Sequence, residues 1–265
     1  MIDNKDLVSI IMPSYNCGRF VEEAIRSVQA QTYTRWEIIF VDDCSTDDTI
    51  RKVSEMREKD SRIKIFKNRC NSGAAVSRNF ALREARGRWV AFLDSDDLWK
   101  PDKLEHQIKF MEENGYAFSC TERDVIDENS RPLYQYVTGP NKVSRKSMES
   151  YCWIGCLTVM YDCYKVGLVQ IADLKKNNDY AMWLKVIKKY DCYLLKEVLA
   201  SYRLRKGSIS HDHLIKLIKS HYTLWRIGEE KNPIVAIMFT IRNIICGVVK
   251  KLKYVSKLNN NGQKT

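Results

Sequence analysis

The sequence lacks several features that would place it in other classes of protein. No Gly-x-Gly-x-x-Gly motif follows the first predicted strand, which excludes a dinucleotide-dependent oxidoreductase. No zinc finger, recognition helix or RNA-binding signature is present, so we expect no nucleic-acid partner. The nine cysteines offer no structural zinc site, because Cys152 and Cys156 have no second pair. Residues 1–6 have no apolar run typical of a secretory signal, and we therefore expect a cytoplasmic protein.

The chain is long enough for one substantial core followed by a tail, since 45% of its 265 residues are hydrophobic. Its first half alternates β-branched runs with helix-period segments, a pattern that predicts βαβ units and a largely parallel sheet. The predicted strands are Val8–Met12, Glu37–Val41, Ile63–Lys67 and Trp89–Leu93.

The predicted helices of this half follow each strand. The apolar positions at Val21, Ala24, Ile25 and Val28 share one helix face, and further helices are expected from Gly73 to Arg86, ended by Gly87, and over Lys103–Glu113. We expect Ser45 to be the N-cap of another helix that runs to about Lys59. Asp47 and Asp48 are interpreted as acids of its first turn.

The pattern weakens beyond residue 114. Residues 122–147 are polar and are predicted to be loops. A further helix is expected over Asp179–Lys189, and one or two strands are expected within Cys192–Tyr202.

Acidic residues follow two of the predicted strands. Asp42 and Asp43 come after the second strand, whereas Asp94, Asp96 and Asp97 come after the fourth. The carboxyl ends of parallel strands share one edge of a sheet, so both clusters are expected to face one crevice. Carboxylates gathered in one cleft repel each other unless a cation compensates them. Their hard oxygen atoms indicate Mg²⁺ or Mn²⁺.

Five segments in this order resemble the inverting family 2 glycosyltransferases. They are Val8–Asn16, Val41–Asp47, Asn71–Gly73 with Arg78-Asn79, Leu93–Asp97 and Trp99–Leu104. The resemblance is close over residues 8–105 and loose to about residue 210. It implies an α/β GT-A fold, with a mixed, mainly parallel sheet flanked by helices, a nucleotide-sugar donor and inversion at the anomeric carbon.

The resemblance also implies a division of the chain. Residues 1–210 would form the GT-A domain, with a nucleotide-sugar-binding half at 1–115 and an acceptor-binding half at 116–210. Residues 211–265 would form a basic, amphipathic helical tail.

Donor-binding residues are carried over from the matching motifs. Pro13, Tyr15 and Asp43 would line the nucleoside pocket, with Asp43 accepting a hydrogen bond from the ring N–H of uracil. Arg78 would lie near the nucleotide phosphates.

The metal and diphosphate site is expected around Asp94, Ser95 and Asp96. Asp96 is the favoured direct ligand of the metal, and Asp94 would approach either the ribose or the metal. Asp97 is a second candidate ligand.

Inversion by single displacement requires a base that removes the proton of the acceptor hydroxyl. Family members commonly carry Glu-Asp before an aromatic helix, and the sequence Asn178-Asp179-Tyr180 matches at the Asp and departs at the Glu. We assign Asp179 as the base; the alternative is an acid favoured by the helix dipole. Arg205 stands near the position of a family histidine. It would either neutralise donor phosphate or lie in a solvated basic loop.

The basic charge is concentrated at the C-terminus, where residues 211–265 hold ten Lys or Arg against three acids, a net charge of +7. Residues 233–249 are predicted to form an amphipathic helix. Its apolar stripe is Ile234, Val235, Ile237, Met238, Ile241, Ile244, Ile245, Val248 and Val249, with Thr240, Asn243, Gly247 and Lys250 opposite. The central Arg242 and Asn243 and the length of 17 residues argue against a membrane span.

Two alternatives remain for this tail. It would lie on an anionic membrane surface, with Lys250, Lys251, Lys253 and Lys257 on headgroups and Tyr222 and Trp225 at the interface. Otherwise its stripe would pack on the domain or on a second copy in a homo-oligomer.

The expected function is therefore metal-dependent transfer of a hexose from a nucleotide-diphosphate donor, with UDP-hexose or UDP-N-acetylhexosamine favoured. The acceptor would be a lipid-linked saccharide of surface polysaccharide synthesis, at the cytoplasmic face of the inner membrane. The alternative is a catalytically inert, membrane-peripheral nucleotide-sugar-binding protein of the same fold, which the departure at Asn178 suggests.

Overall fold

A computed structural model describes residues 4–205 and 214–257 of the chain, which form an 11-stranded mixed sheet with helices packed against it. The strands are β1 (Val8–Ser14), β2 (Trp36–Asp42), β3 (Ile63–Lys67), β4 (Trp89–Phe92), β5 (Leu98–Trp99), β6 (Phe118–Ile126), β7 (Pro132–Val137), β8 (Lys142–Val143), β9 (Met160–Asp162), β10 (Cys192–Arg203) and β11 (Val255–Lys257). The α-helices are α1 (Val21–Gln29), α2 (Thr49–Lys59), α3 (Ala74–Glu84), α4 (Lys103–Asn114), α5 (Arg145–Ser150), α6 (Cys163–Val166), α7 (Asn178–Ile187), α8 (Leu214–Thr223) and α9 (Pro233–Tyr254).

The order of the main strands is β3-β2-β1-β4-β9-β6-β7-β11, and β10 pairs with β6 beside it. The adjacent strands β3, β2, β1 and β4 are all parallel to one another, and β10 is parallel to β6. Strand β9 enters antiparallel between β4 and β6. The α/β prediction of a mixed sheet flanked by helices, followed by a helical C-terminal region, is confirmed.

The core lies on both faces of the parallel strands. Every residue of β1, β2 and β4 is buried, as expected for parallel strands covered on both sides. Alternate residues therefore enter different clusters: Ile11 and Ile39 pack towards α3 and α7, whereas Ile10 and Ile38 pack towards α1 and α4. Each such side chain contributes roughly 1.5–3 kcal/mol of burial free energy, which fixes the strand register below the crevice.

Two helix boundaries differ from the prediction. Helix α2 begins at Thr49, and Ser45 is not its N-cap: the Ser45 Oγ accepts a hydrogen bond from the Asn16 backbone N–H at 2.9 Å. Asp47 and Asp48 precede the helix, so their predicted placement in its first turn is wrong: Asp48 occupies the N-cap position, and the Asp47 carboxylate accepts from the Thr49 N–H at 3.1 Å. Helix α3 ends at Glu84, so Gly87 does not terminate it.

The prediction that residues 122–147 are loops is wrong in part, because this segment contains the end of β6 and all of β7 and β8. Because Glu122, Arg123 and Asp124 are polar, β6 has no continuous apolar run by which it could be predicted from the sequence. The strand forms because β10 pairs with it on one side and β7 on the other, and the residues of β10 lie far from β6 in the chain.

The tail packs on the sheet domain through its polar side. Ala236, Thr240 and Asn243 of α9 are buried, and the Asn243 side chain donates to the Ser150 carbonyl at 2.7 Å. The apolar stripe faces outward, with exposed Ile234, Ile237, Met238, Ile241, Ile245, Val248, Val249 and Leu252. The alternative in which this stripe packs on its own domain is therefore wrong.

Two further expectations for the tail need correction. Trp225 is fully buried, stacks on Phe239 at 4.5 Å between ring centroids and donates to the Asn243 side chain at 2.9 Å, so it is not an interfacial residue. Tyr222 also packs, partly buried, against the core. Helix α9 spans 22 residues, not 17, and its length and composition would suffice to cross a bilayer.

Gly87 gives a test of the packing beneath the crevice. Its N–H donates to the Ser9 Oγ at 2.9 Å, and an added Cβ would lie 2.4 Å from the Leu7 carbonyl oxygen, a backbone atom with little freedom to move. We expect Gly87→Ala to lower the free energy of unfolding by roughly 1–3 kcal/mol, measured by urea denaturation. Gly139→Ala is the control, because its nearest neighbour would be 3.7 Å away. Equal stability of the two variants would contradict this account.

Candidate active site

The ends of β1 and β2 bring the first predicted donor-binding segments together. Pro13 pairs with Val41 in the parallel register, and the Asp43 backbone N–H donates to the Ser14 carbonyl at 2.8 Å. Tyr15 follows directly and is exposed. Pro13, Tyr15 and Asp43 therefore lie around one end of the sheet, as a shared nucleoside pocket requires.

The buried carboxylate of Asp43 also holds the turn that leads into α3. One oxygen accepts from the Asn68 side chain at 2.7 Å and from the Ser72 N–H at 2.8 Å, and the other accepts from the Gly73 N–H at 2.7 Å. Gly73 has a φ of +89°, a conformation that favours glycine. A carboxylate has about four acceptor positions, so capacity for a ligand N–H remains.

Arg78 of α3 joins two parts of the site. Its buried guanidinium donates to one oxygen of Asp94, after β4, and at 2.5 Å to the side-chain oxygen of Asn178, at the start of α7. Burial lowers the pKa of Arg78, but the charges of Asp94, Cys156 and Asp179 raise it by more, so that the guanidinium stays protonated. Asn178 thus has a defined role as a neutral acceptor for Arg78. Nothing in the sequence signals this contact, because its partners lie 100 positions apart.

The segment Asp94–Asp97 forms a tight turn, with the Asp97 N–H donating to the Asp94 carbonyl at 3.1 Å. Ser95 is buried, while the Asp94 side chain is about one-third exposed, at 33%. Asp97 is buried and one of its oxygens accepts from the Arg203 backbone N–H at 2.8 Å. Burial, together with the charges of Asp96 and Asp94, raises the pKa of Asp97 well above its ordinary value.

Asp96 is balanced by two arginines from the end of β10 and beyond. Its carboxylate pairs with the Arg205 Nε at 2.8 Å, and its carbonyl accepts from the Arg203 Nε at 2.6 Å. Burial raises the pKa of Asp96; Arg205 lowers it, and the neighbouring Asp94 charge raises it again. Arg205 is therefore a counter-ion of Asp96 and not part of a solvated loop. Residues 206–210 of the same segment lie outside the described residues.

Asp94 and Asp96 are suited to a divalent metal that arrives with phosphate. Among the described residues, no group of three or more His, Cys, Asp or Glu side chains forms a complete protein cage for a metal. Mg²⁺ and related ions usually need only one or two protein carboxylates when phosphate oxygens complete the coordination. The mutual repulsion of the two acids would be relieved by such an ion.

Asp179 is partly buried in the first turn of α7, where one of its oxygens accepts from the Tyr180 N–H at 2.8 Å. Its charge raises the pKa of Arg78 and also the pKa values of Tyr151 and Cys152. Asp179 is therefore within electrostatic reach of the Arg78 guanidinium and of the segment that precedes β9.

Comparison with known proteins identifies the family, because residues 9–164 match the family model "Glycosyl transferase family 2". The chain belongs to this family. It is 44% identical to the putative teichuronic acid biosynthesis glycosyltransferase TuaG of Bacillus subtilis, over 79% of this chain and 84% of TuaG. It is 37% identical to an Escherichia coli protein named UDP-Glc:alpha-D-GlcNAc-diphosphoundecaprenol beta-1,3-glucosyltransferase WfgD, over 92% of this chain and 94% of WfgD.

Solved structures show the same fold. TarS of S. aureus superposes with a TM-score of 0.68 at 20% identity, over 89% of this chain and 70% of the TarS chain. The mannosyltransferase PcManGT from Pyrobaculum calidifontis, in complex with GDP-Man and Mn²⁺, gives a TM-score of 0.57 at 16% identity. The match covers 91% of this chain and 75% of the PcManGT chain. The family and GT-A fold expected from the five motifs are confirmed.

Matched substitutions of Asp96 and Asp97 can show which of these two carboxylates binds the metal. We expect Asp96→Asn to weaken Mn²⁺-dependent binding of UDP roughly tenfold or more, because it removes a charged oxygen donor. Asp97→Asn should leave this affinity within about twofold, since the amide oxygen can still accept from Arg203. Isothermal calorimetry with UDP and Mn²⁺ measures both. An equal loss in Asp97→Asn would make Asp97 a ligand.

Proposed function

We propose that this family 2 chain is an inverting, metal-dependent hexosyltransferase that moves a sugar from a UDP-sugar to a hydroxyl of a lipid-linked saccharide in surface polysaccharide synthesis. The observation that carries the proposal is the Arg78 bridge, which ties Asp94 to the helix start bearing Asp179. The named activities of the relatives support the substrate classes.

On the donor side, Pro13, Tyr15 and Asp43 bind the nucleoside, while Asp94, Ser95 and Asp96 face the diphosphate. A Mn²⁺ or Mg²⁺ ion held by Asp94 and Asp96 would supply positive charge to the departing diphosphate. The chain adds a fixed guanidinium, Arg78, to the same region.

On the acceptor side, Asp179 receives the proton of the attacking hydroxyl. Its Tyr180 N–H contact orients the carboxylate, and the Arg78–Asn178 bond holds the first turn of α7. Pre-positioning of this kind is what general-base catalysis requires. The inert alternative rested on the departure at Asn178, which now has a positioning role that is compatible with catalysis.

The base assignment has a direct test. Asp179→Asn keeps the shape of the side chain and its acceptor contact but cannot take a proton at neutral pH. We expect transfer to fall by roughly 10²–10⁴-fold, with UDP affinity unchanged. The transfer rate is measured with radiolabelled UDP-glucose and a lipid-diphosphate saccharide as acceptor, and the UDP affinity is measured by calorimetry. Asp173→Asn, at an exposed position, is the control; unchanged turnover in Asp179→Asn would refute the assignment.

The proposed location is the cytoplasmic face of the inner membrane, with α9 lying in its surface. The outward stripe of α9 is followed by the exposed Lys251 and Lys253, and α8 adds exposed apolar residues such as Ile215 and Ile218. An apolar stripe edged by lysines favours an anionic bilayer interface. Because Thr240 and Asn243 are held against the protein, one face of the helix is available to lipid, and this favours a position in the interface over a span.

Vesicle binding tests this location. Replacing both Ile241 and Ile245 by Ser removes apolar surface worth about 1.5–3 kcal/mol per residue when fully buried, so we expect at least tenfold weaker binding to vesicles containing phosphatidylglycerol. Cosedimentation measures the affinity. Leu133→Ser, at an exposed apolar position on β7, is the matched control and should bind as the unmodified protein does. If vesicle binding is unchanged and a dimer becomes a monomer in sedimentation equilibrium, a second copy covers the stripe instead.

A further inference from the structure

A second cleft lies between β6, the turn at 138–140, residues 153–155 and the C-terminal part of α9. The cleft is shallow: it encloses about 20 Å³, within an empty space of about 340 Å³ that includes open solvent. Its walls include Arg123, Thr138, Trp153, Gly155 and Lys250.

The cleft holds two cations, and acids act on them only from outside its lining: the charge of Arg123 lowers the pKa of Asp97, and the charge of Asp179 raises the pKa of Lys250. Arg123 and Lys250 both line it, and no acid occurs among the described residues of its lining. The Arg123 Nε is buried without a hydrogen-bond partner, and the Lys250 Nζ donates to the Cys152 carbonyl at 2.8 Å. Within residues 4–205 and 214–257, neither cation forms a salt bridge. Glu122, next to Arg123 in β6, is engaged by the hydroxyls of Thr138 and Tyr136.

Two unpaired cations that face one cleft indicate an anionic ligand. Burial and, to a smaller extent, the charge of Arg123 lower the pKa of Lys250 to about 8, while Cys152 acts in the opposite direction. A bound anion would offset both the cost of burying the Lys250 ammonium group and its repulsion from Arg123. A guanidinium fork beside an ammonium group is suited to phosphate oxygens.

The cleft lies within electrostatic reach of the proposed base. The charge of Asp179 acts on Lys250 and on Tyr151, and the Lys250 Nζ lies 5.2 Å from the centre of the Tyr151 ring. The Tyr151 and Trp153 rings are 5.7 Å apart, so aromatic surface adjoins the cationic pair. Aromatic faces of this kind pack against the apolar faces of sugar rings. Lys250 also belongs to α9, whose opposite face carries the exposed apolar stripe.

We propose that Arg123 and Lys250 bind the diphosphate of the lipid-linked acceptor and place its sugar between this cleft and Asp179. This assignment rests on the proposed function and names the acceptor subsite of that function. It makes α9 a part of the acceptor site, because the helix that faces the membrane also supplies one of the two phosphate ligands. The lipid chain would leave the cleft on the side of α9.

Two acceptors with the same sugar test the subsite: decyl-diphospho-N-acetylglucosamine and plain decyl N-acetylglucosaminide, each with UDP-glucose as donor. We expect Lys250→Met and Arg123→Met to raise KM for the diphosphate acceptor roughly tenfold or more. Their kcat, and their kcat/KM with the plain glycoside, should stay within about twofold of the unmodified protein. Lys250→Arg should recover most of the loss, and Lys251→Met, at the exposed neighbouring lysine, is the control.

A third variant moves the charge without removing it. A Cβ at Gly155 would lie 2.2 Å from the Arg123 Nη1, so Gly155→Ala must displace the guanidinium. We expect an intermediate rise in KM for the diphosphate acceptor alone. Equal losses with both acceptors, or no change with either, would overturn the proposal.

Calorimetric binding of the diphosphate compound needs no turnover and separates this subsite from the proposed function. Binding that is lost in Lys250→Met supports the subsite even if transfer is absent, whereas equal binding rejects it. Cosedimentation with phosphatidylglycerol vesicles distinguishes the remaining source of phosphate. If Lys250→Met weakens vesicle binding and leaves the acceptor KM unchanged, the cations bind a lipid headgroup and the acceptor assignment is wrong.

Discussion

The guanidinium of Arg78, held between Asp94 and Asn178, is the contact on which the candidate site depends. A buried cation is stable only when its donors are matched, and removing one partner of such a pair typically costs about 3–5 kcal/mol. Here the partners belong to different parts of the chain, the turn after β4 and the first turn of α7. The two contacts of the Arg78 Nη atoms therefore fix the carboxylate proposed to meet the metal relative to the carboxylate proposed as the base, while the Arg78 Nε is buried without a hydrogen-bond partner.

Charge is distributed around this contact in two unequal clusters. The acids after β4 are partly balanced by Arg203 and Arg205, while the Asp94 side chain stays one-third exposed, at 33%. Arg123 and Lys250 share a cleft whose described lining holds no acid. In the proposed function, a metal would complete the first cluster and an anion the second, which is the complementarity expected of an enzyme whose two substrates both carry diphosphate.

Short-range pattern was sufficient for the parallel strands and for the acids that follow them, because buried β-branched runs and strand-end carboxylates are local features. It was insufficient for β6, whose polar residues are held by pairing with a strand about 70 positions away. The Arg78–Asn178 contact has no local signal either. For Trp225, the amphipathic pattern shows which residues are apolar but not which side of the helix meets the protein, and the structure places this ring inside.

The orientation of α9 would link the proposed membrane attachment to the proposed catalysis. In water, a helix that buries Thr240 and Asn243 and exposes a row of isoleucines, valines and leucine has its apolar surface on the unfavourable side. At a bilayer surface both faces are satisfied, since the polar side keeps its hydrogen bonds to α5 and the stripe enters lipid. In the proposed arrangement, the membrane would set the depth of α9 and with it the position of Lys250. Attachment would thus bring the proposed phosphate-binding residue to the level at which a lipid-linked diphosphate leaves the bilayer.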